Sequence, residues 1–329
     1  MTISKARRAL IASLICANAL LASASINAQN DKITKFILPV APGSGVDTIM
    51  RASSKALAVA LGTPVVIDNQ PGAGGFVGTA AMVKSAPDGA TLSVVSNNHV
   101  IFPSVYKSLP FDPINDITPI AVLGTSPMVL VVNRKVAAKD SKELVALLNA
   151  KPGSLNYASS GNGTILHLAA EMFLDEAGVG VALKANHIPY KGVGPMITDL
   201  LGGQVDFGVL ALPSIQAHLK SGALRAIGTS SKARLTAAPE IQTFAEQGLP
   251  NYIVEGWFAV IGPKHLSATD VKRVYAAFTA AFASPEVKEA MGKQGNLIAI
   301  STPETAATFF KSEVEKYAKL VKKSGVKLD

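Results

Sequence analysis

The chain has 329 residues, of which 48% are hydrophobic and 16% charged, a balance that excludes a disordered protein and allows two domains with separate cores. Its formal net charge is +8, but the lysines are dispersed and only 6% of the residues are aromatic, so no nucleic-acid partner is expected. The single cysteine is Cys16. A chain that loses its first residues therefore has no disulfide, no thiolate nucleophile and no cysteine-bound metal.

Residues 1–28 have the pattern of a secretory signal peptide. Three basic residues precede an apolar run at 9–24 that ends in small residues, and cleavage is expected after Ala28, with Ala24 as the alternative. No later window has the roughly 18 consecutive apolar residues that a membrane span requires. We therefore expect an exported protein of the bacterial periplasm.

Short strands alternate with helices through most of the chain, the pattern of parallel α/β layers. Strands are predicted at 33–39, 65–67, 91–96, 128–133, 155–158, 205–209 and 224–229. After an apolar segment at 257–261, two or three helices complete the chain. No polar linker separates two domains, so the apolar runs at 117–132 and 253–262 are interpreted as strands that cross between two lobes. This predicts one lobe from 29–127 plus 251–329 and an inserted lobe at 128–250.

Two loops of similar design precede predicted helices. The first contains Gly43, Ser44 and Gly45, and the second runs from Ser159 to Thr164. Glycines let the backbone approach a ligand, and the free N–H groups of a first helical turn favour an anion. Two such loops far apart in sequence indicate two lobes that hold one acidic ligand. Asp47 would repel an anion if it faced inward, so we expect it to cap the helix or brace the loop.

Several longer blocks, in order along the chain, resemble the solute-binding proteins of tripartite tricarboxylate transporters, also called the Bug family. The blocks are NQPGAGGFVGTAAMVKSAPDGATL, LPFDPINDITPIAVLGTSPMVLVV, YASSGNGTILHLAAE, IPYKGVGPMITDLLGGQVDFGV and LRAIGTSSKARLTAAPEIQTFAEQGLPNY. The resemblance covers nearly the whole mature chain. It implies a type II periplasmic binding fold of two α/β lobes joined by crossing strands, with a cleft that holds a small carboxylate through backbone amides and bridging waters.

The resemblance places both loops at the ligand and adds residues from other strand ends. The predicted ligand-binding residues are Pro42, Gly43, Ser44, Gly45, Val46 and Asp47 in the first loop, Ser159, Ser160, Gly161, Asn162, Gly163 and Thr164 in the second, and Gly75, Phe76, Asn97 and Pro213 elsewhere. Phe76 either covers an apolar part of the ligand or packs in the core. Asn98 is a plausible contact beside Asn97, and Lys191 either meets a second carboxylate or faces solvent.

No catalytic, metal or cofactor motif is found in the sequence. His167 and Glu171 share a helix face, which we interpret as a structural pair near the cleft. The expected function is a receptor that delivers an organic acid, amino acid or aromatic acid to the membrane permease subunits of a tripartite carrier, acting as a monomer. The alternatives are a sensing module for a membrane kinase and, less favoured, a periplasmic enzyme.

Overall fold

The computed structural model describes residues 33–179 and 185–324, and over these ranges the chain forms a mixed α/β fold with a curled sheet. The predicted signal peptide at 1–28 lies outside the described residues. None of the described helices combines the length and the apolar character needed to cross a bilayer.

The strands and helices alternate up to residue 229, and helices dominate the C-terminal third. The described strands are β1 (Thr34–Leu38), β2 (Val65–Asn69), β3 (Thr91–Ser96), β4 (Ile117–Asn133), β5 (Leu155–Ser159), β6 (Ala185–Pro189), β7 (Phe207–Ala211), β8 (Leu224–Thr229), β9 (Glu255–Pro263) and β10 (Leu297–Ile298). The helices are α1 (Gly45–Leu61), α2 (Phe76–Val83), α3 (Asn98–Val105), α4 (Ser141–Ala150), α5 (Ile165–Glu176), α6 (Val193–Gly202), α7 (Leu212–Lys220), α8 (Ala268–Ala283), α9 (Pro285–Lys293) and α10 (Pro303–Ser324).

The sheet has the strand order β2-β1-β3-β9-β4-β7-β5-β6, with β8 and β10 also paired to β4. β1 is parallel to β2 and β3, and β5 is parallel to β6 and β7. The pairs that involve β4 and β9 are antiparallel. Each end of the sheet is therefore a parallel α/β unit, and antiparallel strands join the two units.

The long strand β4 belongs to both units. Its residues up to Pro127 pair with β9, and from Met128 onward it pairs with β7 and β8. The chain returns through Val254, whose N–H donates to the carbonyl of Ser230, and then enters β9. Two crossings close together in space are the connection that a cleft between two lobes requires.

The described residues form two hydrophobic clusters, and the larger one extends into both units. In the smaller cluster, which involves β1, α1 and α8, the rings of Phe36 and Phe278 meet edge to face with centroids 5.6 Å apart. The larger cluster includes the second half of β4 together with β7 and α5, and it contains the fully buried Phe173 and Phe207. Burial of such side chains contributes roughly 1.5–3 kcal/mol each, so the sheet gives the loops at its strand ends a rigid base.

Candidate ligand-binding cleft

Two adjoining cavities lie between the loops that follow β1 and β3 on one side and those that follow β5 and β6 on the other. The large cavity has a volume of about 560 Å³ and is lined by residues 39–41, 71–75, 98, 106, 160–162 and 189–193. The small cavity, of about 80 Å³, is lined by residues 40, 44–46, 96–98, 126, 128, 160, 165, 166, 193, 211, 214, 256 and 257. Val40, Asn98, Ser160 and Val193 line both.

Five of the described helices begin at the small cavity, including α3 at Asn98 and α6 at Val193. Its lining includes the first residues of α1, the first two residues of α5, and Ser214 in the first turn of α7. Because the N–H groups of a first helical turn have no intrahelical partner, these ends carry a partial positive charge. The Ser214 hydroxyl is buried and has no hydrogen-bond partner within the described part of the chain. The cavity therefore offers donors to a polar, preferably anionic, ligand.

Several polar groups of the first loop form hydrogen bonds within the protein and are not available to a ligand. Ser44 caps α1 by accepting from the N–H of Asp47, and the N–H of Gly43 donates to the Asp47 carboxylate over 2.9 Å. For the N–H groups of Gly45 and Val46, the described residues provide no acceptor. These two amides are the donors that the first loop can give to a ligand.

Asp47 braces this loop from behind. Its carboxylate accepts from Arg51 Nε at 2.9 and 3.0 Å and from Asn69 Nδ2 at 2.9 Å, in addition to the Gly43 bond, and the residue is only 2% exposed. Burial on its own would raise the pKa of Asp47, but the hydrogen bonds from Arg51, Gly43 and Asn69 outweigh it and hold the pKa below the ordinary value. Asp47 lines neither cavity, so its charge is neutralised inside the loop and does not face the ligand.

The hydroxyl groups of the second loop likewise form hydrogen bonds within the loop. Thr164 caps α5 and also donates to the carbonyl of Gly161, while the Ser159 hydroxyl accepts from the Gly161 N–H. The N–H of Gly163 donates to His167 Nδ1, which fixes that nitrogen as unprotonated. In the first turn of α5, the described residues supply no acceptor for the N–H of Leu166. This amide and the Ser160 side chain face the cleft.

Two stacked histidines lie behind the second loop. The rings of His167 and His187 are parallel within 10° with centroids 3.8 Å apart, and His187 Nε2 lies 2.6 Å from the Ser159 hydroxyl. Burial lowers the pKa of His187 to about 3, so this ring is neutral. His167 Nε2 lies 3.7 Å from Glu171, which accepts a hydrogen bond from Tyr157. The geometry confirms the interpretation of His167 and Glu171 as a structural pair.

The adjacent asparagines at the end of β3 have different partners. The side chain of Asn97 donates to Glu255 and Tyr317 and accepts from the N–H of Trp257, so it holds β9 and α10 in place and has no group left for a ligand. Asn98 instead donates to the carbonyl of Gly74 and accepts from the N–H of Ile165, with both distances 2.8 Å. Asn98 therefore joins the two sides of the cleft at the point where the cavities meet.

Phe76 packs in an aromatic cluster and does not line either cavity. Its ring stacks on Tyr106 and Phe111 with centroid distances of 5.6 Å and meets Phe102 edge to face. The sequence left two roles open for Phe76, and these contacts favour packing in the core.

Tyr106 is the member of this aromatic cluster that lines the large cavity, and its hydroxyl donates to the carbonyl of Ala73. Burial raises the pKa of Tyr106, which keeps its hydroxyl protonated.

Half of the predicted site residues line the two cavities, namely Ser44, Gly45, Val46, Gly75, Asn97, Ser160, Gly161 and Asn162. The other half lie behind the lining and do not border either cavity, namely Pro42, Gly43, Asp47, Phe76, Ser159, Gly163, Thr164 and Pro213. No motif pointed to Tyr106, Met128 or Trp257, because each lies on or next to an element whose pattern is that of the core. Ser214 belongs to the turn that the sequence indicated at Pro213, at the start of a helix after a buried strand, and it is the residue of this turn that lines the small cavity.

Acidic and metal-ligating side chains are not gathered at the cleft in the described part of the chain. Across residues 33–179 and 185–324, His, Cys, Asp and Glu side chains form no group of three that could hold a metal ion. Neither cavity has Asp or Glu in its lining. A sheet shared by two units, two crossings and a cleft at the strand ends define the periplasmic-binding-protein class, in which the ligand lies between the lobes.

Comparisons with known proteins narrow this class to a family. The profile of the tripartite tricarboxylate transporter family receptor matches residues 49–326. Protein BugT of Bordetella pertussis is 36% identical over 296 residues, which is 89% of this chain and 90% of BugT. The chain belongs to the tripartite tricarboxylate transporter receptor family, which includes the Bug proteins.

Solved structures agree with this assignment. The periplasmic binding protein BugD superposes with a TM-score of 0.86 at 28% identity, over 91% of this chain and 99% of BugD. R. palustris Rpa4515, solved with adipate, also gives a TM-score of 0.86, at 25% identity, over 91% of this chain and 100% of that protein. The fold predicted from the sequence is confirmed.

Proposed function

We propose that this protein is a periplasmic receptor for a small carboxylate-bearing solute. The observation that carries the proposal is the pair of helix N-termini at the small cavity, where the amides of Gly45, Val46 and Leu166 have no acceptor among the described residues and no acidic side chain lines the walls. The relative solved with adipate has a carboxylic acid as its ligand, which supports the same ligand class here.

Backbone donors are sufficient to hold such a ligand. Each hydrogen bond to a charged group contributes roughly 1.5–3 kcal/mol, and a helix N-terminus adds roughly 0.3–1 kcal/mol. Three or four such bonds together are comparable with the cost of association, so the amides can supply the main share of the binding energy without an arginine in the loops. Water molecules can bridge the amides to the carboxylate without much loss of affinity.

Binding is proposed to occur by closure of two lobes, the first comprising 29–127 and 251–329 and the second 128–250. The change of partners along β4 at Pro127 and Met128 supports this division. Opposite walls already touch, because a Cβ added to Gly45 would lie 3.2 Å from the Cβ of Ala211 and one added to Gly192 would lie 2.8 Å from that of Ala41. This close approach supports the proposal that the two lobes close on a ligand, which would stabilise the closed state by contacting both.

In this proposal the protein catalyses no reaction and passes its ligand to the membrane subunits of a tripartite carrier. The family assignment supports the transporter partner and the periplasmic location. The positive formal charge of the chain favours collection of anionic solutes.

A pair of substitutions at Gly45 tests the role of the amides. Gly45→Pro removes one free N–H at the first helical position, where proline is tolerated and where Ser44 has the extended conformation that proline requires of its neighbour. Gly45→Ala adds the same Cβ near Ala211 but keeps the N–H. Calorimetry with the tightest-binding acid of an organic-acid panel should show affinity about tenfold or more weaker in Gly45→Pro than in Gly45→Ala. Equal affinities would contradict the proposal.

The panel itself is a thermal-shift screen of the mature protein, unfolded and refolded beforehand to remove retained ligand. A ligand at a hundred times its dissociation constant adds roughly 2.7 kcal/mol of stability. We expect at least one carboxylic acid to raise the melting temperature. If no acid does so, and mass spectrometry of the protein before refolding finds no acid, the proposal is wrong.

A further inference from the structure

Among the described residues, a single charged side chain lines the two cavities. Lys191 belongs to the large cavity, and none of the other lining residues of either cavity is Asp, Glu, Lys or Arg. The ammonium group has no hydrogen bond or ion pair with any side chain in the described ranges. Lys191 is exposed to solvent on one side, while its charge borders a space of about 560 Å³ that contains no protein anion.

The backbone around Lys191 is held firmly on both sides. The N–H of Tyr190 donates to the carbonyl of Ser159 over 2.9 Å, and the Tyr190 hydroxyl donates to Asp199 over 2.7 Å. Burial, followed by the bond to Asp199, raises the pKa of Tyr190 to about 12, so this anchor stays protonated. Gly192 has a φ of 124°, and a Cβ at this position would lie 2.8 Å from the Cβ of Ala41 on the opposite wall, so the backbone here lies close to that wall. Lys191 is thus placed at the mouth of the cleft beside the second loop.

The two cavities differ in what they offer to an anion. The small cavity provides neutral donors, namely the amides of Gly45, Val46 and Leu166 at two helix starts and the hydroxyl of Ser214. The large cavity provides a full positive charge. A ligand with one carboxylate would satisfy the amides and leave Lys191 without a counter-charge, whereas a ligand with two anionic ends would satisfy both.

We propose that Lys191 is a specificity-determining residue that makes this receptor prefer dicarboxylates over monocarboxylates of the same chain length. One carboxylate of the ligand is bound by the amides of the small cavity, and the other contacts Lys191 across the large cavity. This inference rests on the proposed function, because it assigns the second end of a ligand whose first end is held by the loops.

Calorimetry with matched acids tests the inference. The pairs are succinate and butyrate, glutarate and pentanoate, and adipate and hexanoate, so that each pair differs in one terminal carboxylate. Lys191→Gln should weaken binding of the best diacid about tenfold and change the affinity for its matched monoacid by less than about twofold. Lys191→Arg, which keeps the charge, should restore most of the diacid affinity.

Lys142→Gln is the control, since Lys142 is an exposed lysine on α4 that lines neither cavity and its loss changes the net charge equally. The melting temperature of each variant without ligand establishes that it is folded. Equal losses for diacid and monoacid in Lys191→Gln, or no loss at all, would overturn the inference. Binding of monoacids without diacids in the wild type would overturn it and leave the proposed function standing. Binding of no acid would overturn both.

Discussion

Replacement of Asp47 by alanine should destabilise the protein and weaken ligand binding together. The carboxylate accepts hydrogen bonds from Arg51, Asn69 and the Gly43 N–H, and the substitution leaves the last two donors without their partner. Removing one member of a fully buried pair costs 3–5 kcal/mol, but the side chain of Arg51 is 54% exposed and can be solvated. We therefore expect a loss of about 2–4 kcal/mol in the free energy of unfolding.

Differential scanning calorimetry measures this loss as a decrease of about 3–7 °C in melting temperature. Asp68→Ala is the matched control, because Asp68 lies on the neighbouring strand and pairs with Lys35 at 3.6 Å on the surface. An exposed pair contributes at most about 1 kcal/mol. If Asp47→Ala melts no lower than Asp68→Ala, the bracing role of Asp47 is wrong.

The same substitution should have a defined pH dependence. The pKa of Asp47 is lower in the folded protein than in the unfolded chain, so its contribution to stability is complete above the unfolded value of about 3.9. The contribution is lost as the pH falls through the folded value. The difference in unfolding free energy between the wild type and Asp47→Ala should be constant from pH 7 to about pH 5 and should decrease below about pH 4. A difference that grows on acidification would contradict the assigned charge state.

Three further substitutions test other parts of the cleft. Asn98→Ala removes the link between the two walls and should weaken binding of the best acid about three- to tenfold in calorimetry. Gly163→Ala should lower stability in urea unfolding, because φ is 69° and the new Cβ would lie 3.1 Å from Val105. Tyr157→Phe takes the hydroxyl partner from the buried Glu171 and should cost about 1–3 kcal/mol in the same assay.

A control variant separates the steric contact at Gly163 from backbone strain, and each of the three predictions has an outcome that would contradict it. Gly178 has a φ of 66° but nothing within 4 Å of an added Cβ, so Gly178→Ala has the backbone strain without the contact. Equal losses in the two glycine variants would show that contact with the opposite wall is unimportant. Unchanged affinity in Asn98→Ala would show that its hydrogen bonds between the two sides of the cleft do not contribute to binding. Unchanged stability in Tyr157→Phe would mean that Glu171 has another hydrogen-bond donor in the variant.

Much of the fold could be predicted because its signals are local. The predicted strand at 91–96 matches β3, and that at 224–229 matches β8. Gly62 ends α1 in the left-handed conformation, and Pro285 starts α9, as their residue types indicate. These features depend on neighbours in sequence, so they are visible without the tertiary structure.

Other features depend on contacts between distant residues. β6 was not predicted, because its residues are half-exposed and its hydrogen-bond partner β5 supplies the pairing. The predicted strand at 128–133 is the second half of β4, and the run at 117–132, interpreted as a crossing strand, covers nearly all of it. The register shifts next to Pro119 and Gly124 arise in the pairing with β9 and were not predicted. The partner change along β4 is a property of the whole sheet.

The candidate site also combines features set by local sequence with features set by contacts between distant residues. Glycines and hydroxyls marked both loops, yet which amides are free depends on side chains such as Asp47 and His167 that accept hydrogen bonds from Gly43 and Gly163. Asn97 and Asn98 are indistinguishable in sequence, and only the packing of β9 and α10 against the first makes it part of the scaffold.

The most direct test of the central claim is a crystal structure of the refolded protein with the tightest-binding acid of the panel. We expect a carboxylate in the small cavity, within about 3.2 Å of the N–H groups of Gly45, Val46 or Leu166, or joined to them by one water molecule. A carboxylate bound outside both cavities, or held without contact to either helix N-terminus, would contradict it.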